Sequence, residues 1–156
     1  MKTSYFGRAN SNAFKNSGIR FVSVARSCRY WSGEKYPALF PTYEMIKMTD
    51  EKEYEEVYRK QVLDKLDPLD VYRDLEDAVI LCHESIAKIE SGETFCHRHI
   101  IAKWLEEELW LQYGMDVKIP ELKDEKADLK KILKADKNKK KKDVDGQMGF
   151  DDIDWD

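Results

Sequence analysis

The stretch from Asp77 to Leu111 constrains the fold most, because it joins a short apolar run to a longer apolar-periodic segment through a polar linker. The run from Ala78 to Cys82 predicts a buried strand. Apolar residues then recur near helical spacing from Ile100 onward, and Gly114 is a natural residue to end that helix. The pattern therefore predicts a strand, a loop and a helix in succession.

Most of the rarer reactive side chains lie at the two ends of that loop. In open α/β sheets ligands bind at the carboxyl ends of the strands, and the first turn of a helix offers free N–H groups and the positive end of its dipole. We therefore expect a site built from Cys82, His83 and Glu84 after the strand and from Cys96, His97 and Arg98 at the helix start.

Cys96 is the candidate nucleophile of this site. Backbone N–H groups, the helix dipole and a neighbouring arginine all favour thiolate over thiol at a helix start. Glu84 or His97 would then be the acid or base that transfers a proton. The alternative stays open that Cys96 only packs at the helix start, since buried cysteines are common and usually inert.

A second predicted strand, over residues 19–25, ends in Arg26-Ser27-Cys28-Arg29. Two arginines and a hydroxyl at a sheet edge suit a phosphate or a carboxylate, which arginine binds with paired N–H groups. If the two strands are neighbours, Arg26 and Arg98 converge on one anion. The alternative is that these arginines pair with nearby acids.

The aromatic, turn-rich loop from Tyr30 to Pro37 is predicted to form a lid or a pocket wall. Its rings would complete the set of predicted ligand-binding residues. That set comprises Arg26, Ser27, Arg29, Trp31, Tyr36, Cys82, His83 and Arg98.

A metal site is the less favoured interpretation of the cysteines and histidines. The pair Cys82-His83 is separated by twelve residues from Cys96-His97, and His99 follows. Structural zinc sites do not use this spacing. Adjacent residues of a strand point to opposite faces, so Cys82 and His83 do not easily share one ion. We therefore predict no metal and no cofactor, with zinc as the alternative.

Five segments carry a family resemblance: Val22-Ser23-Val24-Ala25-Arg26, the loop from Trp31 to Pro37, Asp64-Lys65-Leu66-Asp67-Pro68, Leu81-Cys82-His83-Glu84, and the stretch from Phe95 to Leu105. Together they resemble the domain of unknown function 488 family, short α/β proteins of bacteria and their phages, over about residues 3–111. The resemblance implies a compact fold with a mainly parallel sheet, but no substrate. Family members commonly have a proline soon after the arginine that matches Arg26, where this chain has Ser27-Cys28-Arg29.

Charge and cysteine usage narrow the function classes. Residues 1–40 carry seven Lys/Arg and one acid within a chain of net charge −4. This distribution favours a local anion site over a nucleic-acid coat, so no sequence-specific nucleic-acid binding is expected. Three cysteines, without a signal peptide or an apolar run of membrane length, predict a cytoplasmic protein that does not enter a membrane.

Local signals mark further elements within the domain. Asp50 has capping-box spacing to Glu53, and Pro68 suits the first turn of a helix, so helices are predicted to begin at both places. Val117-Lys118-Ile119 is predicted to form a last edge strand.

We predict an α/β domain over residues 1–120, with a mainly parallel, three-layer, Rossmann-like small sheet flanked by helices. A C-terminal helix over 121–135 and a Lys-rich, then acidic and aromatic tail over 136–156 would follow, the tail being disordered by composition.

The expected function is binding of a small anionic ligand, a nucleotide or another phosphate compound, at the carboxyl edge of the sheet. Thiol- or carboxylate-assisted hydrolysis or transfer is left open. The alternative is a non-enzymatic interaction or sequestering protein, of a bacterium or a phage, whose residues 143–156 dock on a partner protein.

Overall fold

Four parallel strands form one sheet in the computed structural model of the protein, which describes residues 1–84, 88–89, 91–92 and 94–122. The strands are β1 (Lys2–Tyr5), β2 (Phe21–Ser23), β3 (Glu34–Lys35) and β4 (Val79–Cys82), and their order in the sheet is β1-β4-β2-β3. The predicted α/β fold with a small parallel sheet is therefore confirmed.

Strand β4 is central to the sheet and to the core. It pairs with β1, where Tyr5 lies opposite Cys82, and with β2, where Ser23 lies opposite Leu81. All four of its residues are buried, as is typical of a parallel strand that is covered on both faces and therefore apolar throughout. The register brings the carboxyl ends of β2 and β4 to the same edge of the sheet.

The described helices are α1 (Phe6–Ala9), α2 (Tyr43–Ile46), α3 (Glu51–Gln61), α4 (Pro68–Leu75) and α5 (His97–Tyr113), with short 3-10 turns at Pro37–Leu39 and Leu63–Lys65. Helix α3 begins as predicted, because the Asp50 carboxylate accepts a hydrogen bond from the Glu53 amide. Asp67 caps α4 by accepting from the Leu69 amide, and Pro68 occupies its first turn.

Helix α5 buries eight of its seventeen residues and packs against β1 and β4. It ends at Tyr113, and Gly114 follows with a left-handed φ of 66°. The Gly114 amide donates to the Trp110 carbonyl and the Met115 amide to the Leu109 carbonyl, which satisfies two carbonyls at the helix end. The predicted limits of this helix are confirmed.

The sheet differs from the prediction at both edges. Residues 117–119, expected to be an edge strand, form none; instead the Thr3 amide donates to the Pro120 carbonyl and the Leu122 amide donates to the Thr3 carbonyl. Glu121 thus makes an isolated parallel bridge with Thr3 and does not start a helix. At the opposite edge, β3 lies inside the segment that was expected to be only a loop.

The rest of the predicted helix over 121–135 and the tail over 136–156 lie outside the described residues, and so does the proposed docking segment 143–156.

Candidate functional site

A cleft of about 330 Å³ opens at the carboxyl ends of β2 and β4, beside the start of α5. The residues after β2 form one wall and the residues after β4 form another. The lining consists of Ala25, Arg26, Ser27, Pro41, Met45, Ile46, Met48, Thr49, Tyr54, Cys82, His83, Glu84, Thr94, Phe95, Cys96 and His97. The cleft therefore gathers seven of the predicted site residues: Arg26, Ser27, Cys82, His83, Glu84, Cys96 and His97.

Arg26 is the cation of this cleft. Its Nε donates to the Pro41 carbonyl at 2.6 Å, and its guanidinium lies 4.8 Å from the centre of the Tyr43 ring. Among the described residues, no carboxylate lies within ion-pair distance of Arg26, and the terminal nitrogens Nη1 and Nη2 make no hydrogen bond. A backbone carbonyl and an aromatic ring thus hold the side chain without neutralising its charge.

Cys82 and Cys96 are paired at the base of the cleft. Their sulfur atoms are in direct contact, and their Cα atoms lie 6.9 Å apart. Cys82 ends the buried strand β4, and Cys96 is the N-cap residue of α5 without making a side-chain cap. A cysteine in a disulfide has no thiolate, so the predicted nucleophile Cys96 exists only when this pair is reduced.

His97 is buried next to the two cysteines, and its Nε2 lies 2.7 Å from the Val24 carbonyl. A carbonyl only accepts, so Nε2 carries the hydrogen and donates it, which leaves the lone pair on Nδ1. Burial is the main cause that lowers the pKa of His97, to about 4. The imidazole is therefore neutral at pH 7, which disfavours the predicted role of a general acid and keeps a lone pair available.

Two further predicted residues lie on the open side of the cleft. The exposed His83 ring approaches the Ser27 carbonyl at 2.9 Å, which ties the end of β4 to the loop after β2. The half-buried Glu84 makes no side-chain hydrogen bond or ion pair among the described residues, although its carbonyl accepts from Arg98. The cleft therefore offers one unpaired carboxylate as well as one unpaired guanidinium.

Arg98 does not line the cleft, so the predicted shared anion of Arg26 and Arg98 is wrong. The Arg98 side chain is fully buried and binds the Glu121 carboxylate through two hydrogen bonds, from Nε at 3.0 Å and Nη2 at 2.9 Å. Its Nη1 donates to the Glu84 carbonyl and to Cys82 Sγ. Its charge is thus already compensated inside the protein.

Glu121 is the residue that the sequence did not reveal. Its carboxylate accepts from Arg98, from His99 and from the Thr3 hydroxyl. Burial raises the pKa of Glu121, but the hydrogen bonds from His99 and Arg98 outweigh burial and hold that pKa below its usual range. The signal in the sequence was Arg98 itself, because an arginine at the start of an apolar helix needs a buried acid as its counterion.

Arg29, Trp31 and Tyr36, all predicted to bind ligand, also lie outside the cleft. Trp31 Nε1 donates to the Glu34 carbonyl, and the ring packs against two phenylalanines of the core, Phe6 and Phe21. The Tyr36 hydroxyl donates to Asp74. Arg29 lies over the exposed Tyr30 ring. The loop is anchored to the body of the protein by these contacts and is not a lid over the cleft.

The apolar wall of the cleft comes from residues that sequence analysis did not single out. Met45 from α2, Tyr54 from α3 and Phe95 before α5 supply it, and the Tyr54 and Phe95 rings meet edge to face with their centres 5.1 Å apart. Aromatic and thioether side chains opposite a polar base are typical of small-molecule sites.

Comparison of the chain with protein-family models, with curated proteins and with solved structures finds no match. In the described residues, none of the helices combines the length and the apolar character needed to cross a membrane. The cleft and its residues are therefore the basis for any statement on function.

Proposed function

We propose that the cleft binds a small anionic ligand, a phosphate compound such as a nucleotide. The observation that carries the proposal is the uncompensated guanidinium of Arg26 in a concave site. Small-molecule sites combine a concave, largely apolar surface with a few polar or charged groups that bind the ligand, and Arg26 is available as such a group. Its two free terminal nitrogens match the paired oxygens of a phosphate or a carboxylate.

The other lining groups limit the ligand further. Ser27 adds a hydroxyl beside Arg26, and Met45, Tyr54 and Phe95 offer an apolar surface to an uncharged part of the same molecule. A volume of about 330 Å³ lies at the lower end of the range for small-molecule sites. A compound with one anionic and one flat apolar end, such as a nucleoside monophosphate, fits this division of the cleft.

We propose binding alone and assign no specific chemical reaction to the cleft. Glu84 is a group in the cleft that could exchange a proton with a bound ligand, since its carboxylate has no partner among the described residues. The proposal also puts the protein in the reducing cytosol, as its odd number of cysteines suggests, where thiols are the usual state of Cys82 and Cys96.

Calorimetric titration of the whole chain with inorganic phosphate and with a nucleoside 5′-monophosphate tests the proposal. Wild-type protein should bind, and Arg26→Gln should bind roughly 10- to 100-fold more weakly, since a charge-assisted hydrogen bond contributes about 1.5–3 kcal/mol. Arg26→Lys should fall between the two, because it keeps the charge but loses the paired donors.

Arg29→Gln is the matched control, because it removes the same charge three residues away and outside the cleft. It should leave the affinity unchanged within about twofold. Equal losses of affinity in Arg26→Gln and Arg29→Gln would show that the binding is only general electrostatic attraction. Absence of binding to the wild-type chain by both probes would refute the proposal.

A further inference from the structure

The strongest unexplained feature is the convergence of three metal-ligating side chains at the base of the cleft. One sulfur each from Cys82 and Cys96 and one ring nitrogen of His97 all lie within 4.8 Å of one another, and all three residues are buried. The fold brings them together because β4 ends next to the N-terminus of α5. In the sequence twelve residues separate the Cys82-His83 pair from the Cys96-His97 pair, which is why the spacing concealed the site.

We propose that Cys82, Cys96 and His97, with both cysteines reduced, bind one thiophilic cation of the zinc class at the base of the cleft. Two thiolates and one neutral imidazole are a ligand set that zinc uses when a fourth position is left for water or substrate. All three residues line the cleft, so a fourth position would open toward it.

The backbone separation of the two cysteines fits a shared ion. Their Cα atoms are 6.9 Å apart, which is at the outer limit for a disulfide. A tetrahedral zinc ion with Zn–S bonds of about 2.3 Å holds its two sulfurs roughly 3.8 Å apart. Binding would release the two thiol protons to solvent.

The surroundings supply the contacts that metal ligands in proteins normally make. His97 Nε2 donates to the Val24 carbonyl, which fixes the ring and leaves Nδ1 to coordinate. Most metal-bound histidines donate their other ring N–H to an oxygen acceptor in this way. Arg98 Nη1 donates to Cys82 Sγ at 3.3 Å, and such a bond favours the thiolate.

The charges also balance. Two thiolates neutralise a divalent cation, and Arg98 is separately neutralised by Glu121. A cation in this position thus adds no uncompensated charge to the buried base of the cleft, which is the usual obstacle to an ion in a protein interior. The inference does not depend on anion binding by Arg26, and its test uses no phosphate.

The test is metal binding by the untagged full chain, purified with a phosphine reductant that does not compete for zinc. Elemental analysis should find one zinc per chain. X-ray absorption at the zinc edge should show two sulfur neighbours at about 2.3 Å and the remaining neighbours at about 2.0–2.1 Å. Co²⁺ in place of zinc should give the visible bands of a tetrahedral site and a thiolate charge-transfer band in the near ultraviolet.

Cys28→Ser is the matched control, since Cys28 lies outside the paired cysteines and outside the cleft lining. It should leave metal content and spectra unchanged, whereas Cys82→Ser and Cys96→Ser should each lose the thiolate band or reduce it by about half. Should those variants fail to fold, the wild-type sulfur count decides. A zinc shell of nitrogen and oxygen only, no zinc in the reduced wild-type chain, or a loss of the band in Cys28→Ser would each overturn the proposal.

Discussion

The buried ion pair of Arg98 and Glu121 shows how a single residue can connect distant parts of the chain. Arg98 lies in the first turn of α5, its side chain contacts Cys82 at the end of β4, and it binds a carboxylate 23 positions later in the sequence. Its guanidinium makes four hydrogen bonds to three residues, so most of its N–H groups have an acceptor. Such a pair gains little over an apolar contact of equal size, but the loss of one partner leaves a charge buried.

Replacement of Glu121 with glutamine should therefore lower the free energy of unfolding by about 3 kcal/mol, because Arg98 would keep its charge without a counterion. Urea denaturation at neutral pH measures this loss. Glu107→Gln is the matched control: Glu107 pairs with Arg59 at the surface, and its loss should cost less than about 1 kcal/mol. Similar values for the two variants would show that the Arg98 pair is not critical.

The lowered pKa of Glu121 predicts a specific dependence of stability on pH. A carboxylate with a folded pKa below its unfolded value contributes stability above the unfolded value, and loses it as the pH falls through the folded pKa. The advantage of wild type over Glu121→Gln should accordingly be full above pH 4.5 and shrink below it. Denaturation curves from neutral pH to about pH 3 measure the difference. A constant difference across that range would contradict the assignment.

At the scale of elements, the end of α5 depends on Gly114. Its φ of 66° lies in the left-handed region, and a Cβ there would meet no atom within 4 Å, so the cost of a side chain is one of backbone strain. Gly114→Ala should lower the free energy of unfolding by roughly 1 kcal/mol. Gly114→Asn should lose less, since asparagine tolerates this conformation. Equal losses in both variants would point to another cause.

The elements that the sequence predicted well are those with a local cause. Asp50, Pro68 and Gly114 mark helix limits through hydrogen bonds and dihedral angles within a few residues, and β4 is a plain apolar run. β3 was missed because it has two exposed, charged residues, and only its pairing with β2 makes it a strand. Bridge formation by Glu121 likewise depends on Thr3, 118 positions earlier.

For the candidate site, too, the sequence predicted what has a local cause and missed what depends on residues distant in the chain. Position at a strand end or helix start was enough to predict that Arg26, Glu84 and Cys96 share a cleft. It was not enough for Arg98, because its side chain binds a buried acid, Glu121, and does not point into the cleft. Nor did spacing reveal that a ring nitrogen of His97 lies within 4.8 Å of both cysteine sulfurs, since this depends on how the start of α5 packs against the end of β4.

At the scale of the whole molecule, β1 at the start of the chain and residues 119–122 at the end of the described part bind and stabilise each other. β1 lies at the end of the strand order, and Pro120 to Leu122 cover its free side with two backbone hydrogen bonds to Thr3. Ile119 and Leu122 are buried in the same core as β4. The short segment 119–122 thus protects a sheet edge, supplies apolar contacts and delivers the counterion of Arg98.

A pair of truncations should separate this segment from the residues that follow it. Removal of residues 119–156 takes away two buried side chains, worth about 2–5 kcal/mol each, together with the Glu121 carboxylate, and the sum is comparable to the whole stability of a small domain. This chain should not fold cooperatively in thermal or urea denaturation. Removal of residues 143–156 should leave the melting temperature unchanged, because that stretch is rich in aspartate and has too few apolar residues to offset its ordering. A cooperative transition in the chain without residues 119–156 would show that β1 needs no covering segment. A lower melting temperature in the chain without residues 143–156 would assign that tail to the folded domain.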